Sequence, residues 1–225
     1  MGKQESESET EQAKDRDASC SDKSDEAGLG LSGNQSLPYI EYTFHDKKDW
    51  LEWRLSHIGA SESAAILGVC PFTTKLQLMK RKLGMEKFKP NRATEHGKSL
   101  EPVVLEMLSI KFGEKLQEKV LQSRKHTHLV AQIDGLSDNY QFEIKCTYAE
   151  SSFLKMVSGI PYHYVVQMQH QLLVTGRDKA LFAFYYKGHL STHPLEANPS
   201  LQSQILDASL QFVSSLQKAR EANEI

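Results

Sequence analysis

Cysteine is scarce in this 225-residue chain, with only Cys20, Cys70 and Cys146 present. There is no CxxC pair and no even set, so neither a zinc ribbon nor a disulfide framework is indicated, and a reducing compartment is the natural setting. Long apolar runs are missing too. None approaches the ~18 residues a membrane span needs, and the N-terminus lacks the apolar centre of a signal peptide. A soluble, intracellular protein with no membrane partner is expected, cytoplasmic in a prokaryotic or phage setting and nuclear in a eukaryotic one. The opening Met1-Gly2-Lys3-Gln4-Glu5-Ser6 fits the short MGxxxS acylation pattern, which has meaning only in a eukaryotic cell.

Large apolar side chains are nearly absent from residues 1–36, which hold nine acids and four bases, a net of −5 against −2 for the whole chain. Such a segment cannot recover the entropy cost of ordering, so a disordered acidic tail is expected over 1–36 and one mildly basic domain, net +3, over 37–225. Aromatic residues begin at Tyr39, Tyr42 and Phe44, and helical spacing at Trp50, Leu51, Trp53 and Leu55. The two tryptophans read as packing residues. Short helices are predicted to open at Ser61 and at Thr73 or Thr74, each with a hydroxyl suited to N-capping and a glycine at its end. A longer helix is predicted over about 98–112, ended by Gly113, with Pro102 in its first turn.

Strand patterns follow near 116–122, 128–134 and 140–146, joined as a meander by short polar turns. Helices near 149–157 and 162–175 lead to Ala180–Tyr186, apolar on both faces and so central in a sheet. A turn at Lys187-Gly188 introduces a strand near 189–195, and helical periodicity after Pro199 closes the chain. The class is α/β, a mixed central sheet flanked by helices.

The chemistry concentrates between Ile133 and Cys146. In a strand over 141–146, alternation puts Phe142, Ile144 and Cys146 on one face and Glu143 and Lys145 on the other, ~7 Å apart. Cys146 therefore reads as core, not as a nucleophile. Asp134 ends the preceding strand, and the short turn after it can bring its carboxylate beside Glu143. Two such oxygen ligands suit Mg2+, with Mn2+ as a substitute, and a bound cation both acidifies water and neutralises phosphoryl oxygens. Lys145 can orient that water. The plain alternative for Glu143 and Lys145 is an exposed ion pair serving solubility.

Glu101 shares the helical stripe of Leu105, Leu108 and Phe112, so it points toward the core, unless it merely complements a helix N-terminus. Residues 75–98 carry eight bases (Lys75, Lys80, Arg81, Lys82, Lys87, Lys89, Arg92 and Lys98) against Glu86 and Glu95. Beside a cleft they would hold a DNA backbone without reading sequence; on an ordinary helix they are a solvated face. Ser61, at a helix opening after Gly59-Ala60, can hold a phosphate or act as a simple N-cap, and Arg54 can clamp phosphate oxygens or stay at the surface. His126 and His128 lack the further ligands zinc requires.

Taken together, Ile133-Asp134-Gly135 with Glu143-Ile144-Lys145, His96-Gly97-Lys98-Ser99-Leu100-Glu101, Arg54 followed by Gly59-Ala60-Ser61, and Tyr164 to Leu172 resemble the lambda-type phage exonucleases, also called YqaJ-like viral recombinases. The motifs occur in that family's order over roughly residues 47–190. The resemblance implies a PD-(D/E)XK restriction-endonuclease-like core. Asp134, Glu143 and the backbone carbonyl of Ile144 would be metal ligands, Lys145 the catalytic lysine, and Glu101 a further carboxylate acting through water or a second ion. Gln167 would support the site, and Arg54 and Ser61 would hold a DNA phosphate. Residues 122–126 contain no acid where some relatives carry one.

The implied activity is a Mg2+-dependent nuclease that digests duplex DNA from its ends, 5' to 3', for recombination or repair. Members of the family can form a closed ring, and a homo-oligomer and a single-strand annealing or recombinase partner are implied here on the same ground. The alternatives are a structure-specific or restriction-like endonuclease on the same core, and a DNA-end-binding module that does not cleave.

Overall fold

Period-two patterning between residues 116 and 146 resolves into three antiparallel strands that form the middle of one sheet. The computed structural model describes residues 37–87 and 92–222. The acidic tail expected over 1–36, with its Gly2 motif, and Lys89 of the basic stretch lie outside the described residues. The strands are β1 (Tyr39–Tyr42), β2 (Ile58–Gly59), β3 (Gln117–Ser123), β4 (Leu129–Leu136), β5 (Gln141–Cys146), β6 (Lys179–Tyr186) and β7 (His189–Glu196). Their order is β1-β3-β4-β5-β6-β7, with β2 beside β4, and only the β2–β4 and β5–β6 pairs are parallel. The β6 strand, apolar on both faces and expected to be central, is interior, between β5 and the edge strand β7.

The helices are α1 (Lys47–Leu55), α2 (Ser63–Ile66), α3 (Lys75–Lys82), α4 (Arg92–Phe112), α5 (Glu150–Val157), α6 (Tyr162–Thr175) and α7 (Pro199–Ala222). On one face of the sheet Val104 and Leu108 of α4 pack against Phe142, Ile144 and Ala183. On the opposite face Met168 and Leu172 of α6, with Met156 of α5, cover Ala180, Phe182 and Phe184. A third cluster joins Val174 of α6 and Phe212 and Leu216 of α7 to Leu121, Leu129, Ala131 and Ile133. Each of the larger side chains here, fully withdrawn from water, contributes ~1.5–3 kcal/mol. No helix among the described residues is long and apolar enough to cross a membrane.

Three local expectations change. The α4 helix starts at Arg92, not near 98, and Pro102 lies inside it, not in its first turn. Packing of Val104 and Leu108 outweighs the hydrogen bond that proline removes. No helix opens at Ser61: Ala60–Glu62 is a 3-10 turn whose N-cap is Gly59, and α2 follows as a single turn capped by Glu62. Ser61 is therefore not an N-cap. By contrast, Thr74 caps α3 as its sequence predicts, in a capping box with Gln77. The Lys47–Leu55 helix begins at the Asp46 side chain, which accepts from the amides of Lys48 and Asp49.

The sheet is forked at its centre. The β4 and β5 strands pair only at Gly135 with Phe142 and Leu136 with Gln141. Farther back, the same edge of β4 is taken by β2, with Ile58 opposite Leu129 and Gly59 opposite Val130. Between these contacts the backbone opens around Asp134.

Candidate active site

Alternation along β5 delivers the arrangement its sequence predicts. Phe142 and Ile144 face α4, and Glu143 and Lys145 face α6. In the fork, Asp134 Oδ2 accepts the amide of Ile144 at 2.8 Å, a bond that spans the gap between β4 and β5. Glu143 is 1% exposed and its carboxylate is surrounded by donors. Its Oε1 accepts from Gln167 Nε2 at 2.7 Å and pairs with the Lys145 ammonium, and its Oε2 accepts from Gln171 Nε2 at 2.6 Å. Lys145 also lies over the ring of Tyr164, 5.3 Å from its centroid.

The electrostatics of this cluster are unbalanced. Burial, and then the neighbouring Glu143 carboxylate, push Asp134 well above the usual carboxylate range, against the pull of Lys145 and the Ile144 amide. Burial works against the Lys145 ammonium, but Glu143 and Asp134 outweigh it and hold the lysine above its ordinary value. Two carboxylates compete for one cation. A divalent ion would relieve such a conflict, and carboxylate oxygens are the hard ligands that such ions take. Among the described residues, however, no three His, Cys, Asp or Glu side chains form a ready-made metal cage. Asp134 and Glu143 are the two carboxylates of this cluster that could hold such an ion, with the rest of its ligands from outside the side chains.

Glu101 reaches the same region from α4. Gly97, one turn earlier, passes so close to the end of β5 that an added Cβ would lie 3.5 Å from the Cys146 carbonyl oxygen. Glu101 is raised by burial, while Lys145 and Lys98 pull it down and Glu143 and Glu118 push it up. Glu118, on β3 and bonded to Gln132, is an acid that the sequence reading passed over. Cys146 packs on the α4 side, and burial followed by Glu101 pushes its thiol up to about 12, which suits a core residue.

Arg54 and Ser61 stand at the β2 end of the fork. The Arg54 guanidinium lies 4.7 Å from the Trp50 ring centroid, so that tryptophan is its platform. Its Nη2 donates to Glu62 Oε1 at 3.2 Å, and a Cβ on Gly59 would come within 2.9 Å of it. Glu62 also accepts from the Gly59 amide at 2.8 Å and from Lys82 Nζ at 2.7 Å. The Lys82 ammonium has its other donors on the carbonyls of Arg54 and His57. It is buried, so it leaves the basic face predicted for residues 75–98, whereas Lys75, Lys80, Lys87, Arg92 and Lys98 are exposed. Ser61 is exposed and its hydroxyl has no hydrogen bond among the described residues. Glu62 and Gln171 were given no role by sequence reasoning, and Lys82 was assigned to the basic face instead of to Glu62. For Gln171 the signal was there, one helical turn after Gln167.

His126 and His128 lie 6.5 Å apart between ring centroids, and His128 bonds Ser209, so neither belongs to this cluster.

The fold that carries this site is that of the alkaline exonucleases. The crystal structure of an alkaline exonuclease (LHK-Exo) from Laribacter hongkongensis matches with a TM-score of 0.68 at 24% identity, over 79% of this chain and 96% of that one. The same protein is known in complex with dAMP. A phage related exonuclease from Haemophilus somnus 129PT matches with a TM-score of 0.56 at 15% identity, over 72% of this chain and 96% of that one. The chain belongs to the YqaJ-like viral recombinase domain family, whose model matches residues 49–178. The uncharacterized protein YqaJ of Bacillus subtilis (strain 168) is 27% identical over 175 residues, 74% of this chain. The chain spans about 55% of the length of that relative.

Proposed function

We propose that this protein is a divalent-metal-dependent deoxyribonuclease that removes nucleotides from duplex DNA ends, in the 5' to 3' direction, with Mg2+ as its ion. One observation carries the reading: Asp134, the Ile144 backbone, Glu143 and Lys145 meet in the fork between β4 and β5. The family, the exonuclease fold and the dAMP complex of the Laribacter enzyme support it.

Asp134, Glu143 and the Ile144 carbonyl would hold the cation, with Glu101 behind them through water or a second ion. A cation there supplies positive charge against the phosphoryl oxygens and lowers the pKa of an attacking water. Gln167 and Gln171 fix the Glu143 carboxylate so that it cannot turn away. Lys145 stays charged and orients the water toward phosphorus, and its ammonium offsets the charge that builds in the transition state. At the other end of the fork, Arg54 has donors left after its bond to Glu62, and with the Ser61 hydroxyl it would hold the terminal 5'-phosphate. The exposed lysines and arginine of α3 and early α4 would track the DNA backbone.

The test compares end-labelled linear duplex, with and without a 5'-phosphate, against a covalently closed circle, each with Mg2+ or EDTA. Mononucleotide release from the phosphorylated linear duplex in Mg2+ alone is expected. Cutting of the closed circle at a similar rate makes it an endonuclease instead.

A further inference from the structure

Residues 163, 167 and 171 of α6 follow one another at helical turns, so they share a face. Gln167 and Gln171 use their amides on Glu143. His163, beside Lys145, has a buried Nε2 with no hydrogen-bond partner among the described residues. An unpaired buried polar atom costs stability, and nothing in the fold requires one here. The His163 ring lies 4.0 Å from that of Tyr164, which in turn carries Lys145. On its outer side stands Phe72, edge-on at 5.4 Å and 86°. Phe72 is 74% exposed and belongs to none of the core clusters. A large aromatic ring is thus held in water, three side-chain contacts from Lys145, on a histidine whose other ring contact is Tyr164.

We propose that Phe72, buttressed by His163, is a stacking platform for the base of the nucleotide next to the bond being cut. The inference rests on the nuclease reading and adds to it a base-contacting subsite. Every nucleobase offers a π-face, so a ring used in this way binds without sequence preference, as an end-processing enzyme requires. The same contact helps to unstack the terminal pair and bring the phosphodiester being cut to Lys145. A nucleobase is favoured over a protein partner because the ring is continuous, through His163 and Tyr164, with the catalytic cluster.

The experiment places 2-aminopurine at the terminal position of a 5'-phosphorylated duplex and titrates the full chain with Ca2+ in place of Mg2+, so that cutting is suppressed. Wild-type protein is expected to change the fluorescence as the base leaves its neighbour and stacks on the ring. Phe72→Ala is expected to abolish most of that change and to weaken binding by about 5- to 100-fold. Its melting temperature should stay unchanged, since the ring is exposed, and Phe72→Trp should keep the signal. A duplex with an abasic terminal position should bind wild type and Phe72→Ala equally. If Phe72→Ala binds and changes the fluorescence as wild type does, or loses affinity equally for the abasic end, the platform is wrong while the nuclease reading stands. If wild type fails to bind any duplex end, the nuclease reading falls and takes the platform with it.

Discussion

Gln171 and Glu143 are joined by a 2.6 Å hydrogen bond between two side chains that are both almost wholly buried. A carboxyl so deeply buried is tolerated only because donors surround it. Gln171→Leu leaves Glu143 Oε2 without a partner and is expected to cost ~1–3 kcal/mol, read as a lower midpoint in urea unfolding. Lys145→Met should fold and bind DNA within a few-fold of wild type, yet cut ~100- to 1000-fold more slowly. A Lys145→Met protein that cuts normally removes that side chain from the chemistry.

Asp134 carries the cost of the site. Since burial and Glu143 disfavour its charge, Asp134→Asn is expected to raise the melting temperature measured in EDTA. Wild type, but not the variant, should gain stability with Mg2+ or Mn2+, because an ion bound only by the folded state stabilises it by mass action. Differential scanning fluorimetry across a metal titration checks both halves. An equal metal response in the two proteins puts the ion elsewhere.

The Arg54, Glu62 and Lys82 network yields a stability and a kinetic expectation. Burial opposes the Glu62 charge, but Lys82 and Arg54 outweigh it and hold the carboxyl below its usual range. Glu62→Gln leaves the Lys82 ammonium buried without its counter-charge and should destabilise by ~3–5 kcal/mol. Adding Lys82→Met should return most of that loss. Arg54→Ala should raise KM for 5'-phosphorylated ends about tenfold while leaving 5'-hydroxyl ends unaffected, as measured in steady-state kinetics.

His170 sets a pH window for stability. Its Nδ1 lies 2.6 Å from Ser63 Oγ and its Nε2 3.1 Å from the Val130 carbonyl, so the neutral ring donates from Nε2 and accepts from the hydroxyl. Burial is the main force that pulls it down to about 4 from an ordinary value near 6.5. The unfolded chain therefore takes up this proton first. The contribution is fully present above about pH 6.5 and drains away as the pH falls toward 4, a loss of about 3 kcal/mol. Urea unfolding at pH 8 and pH 5 should show it, and His170→Gln should flatten that part of the profile.

Much of this was legible because short-range periodicity governs it. The three strands from Gln117 to Cys146 and the shared face of Glu143 and Lys145 follow from alternation alone. The early start of α4 was hidden because Pro102 is a stronger local signal than the packing of the residues around it. The β2 strand, two residues long, carries no pattern to read and exists only because β4 offers an open edge. Lys82 looked like part of a solvated face because its partner, Glu62, is brought to it by tertiary folding across a sequence gap of twenty.

The β2 strand has a consequence out of proportion to its length. Gly59 sits opposite Val130, and Asp134 is four residues farther along β4 than Val130, so about 13 Å of stiff β backbone separates the Arg54 end of the fork from the carboxylates. Both ends are mounted on a single rod, not on loops that drift independently. Under the proposed function, a DNA strand held between them would be measured against a gauge of constant length, and substitutions at either end would change how tightly it is gripped without changing how much of it is measured off.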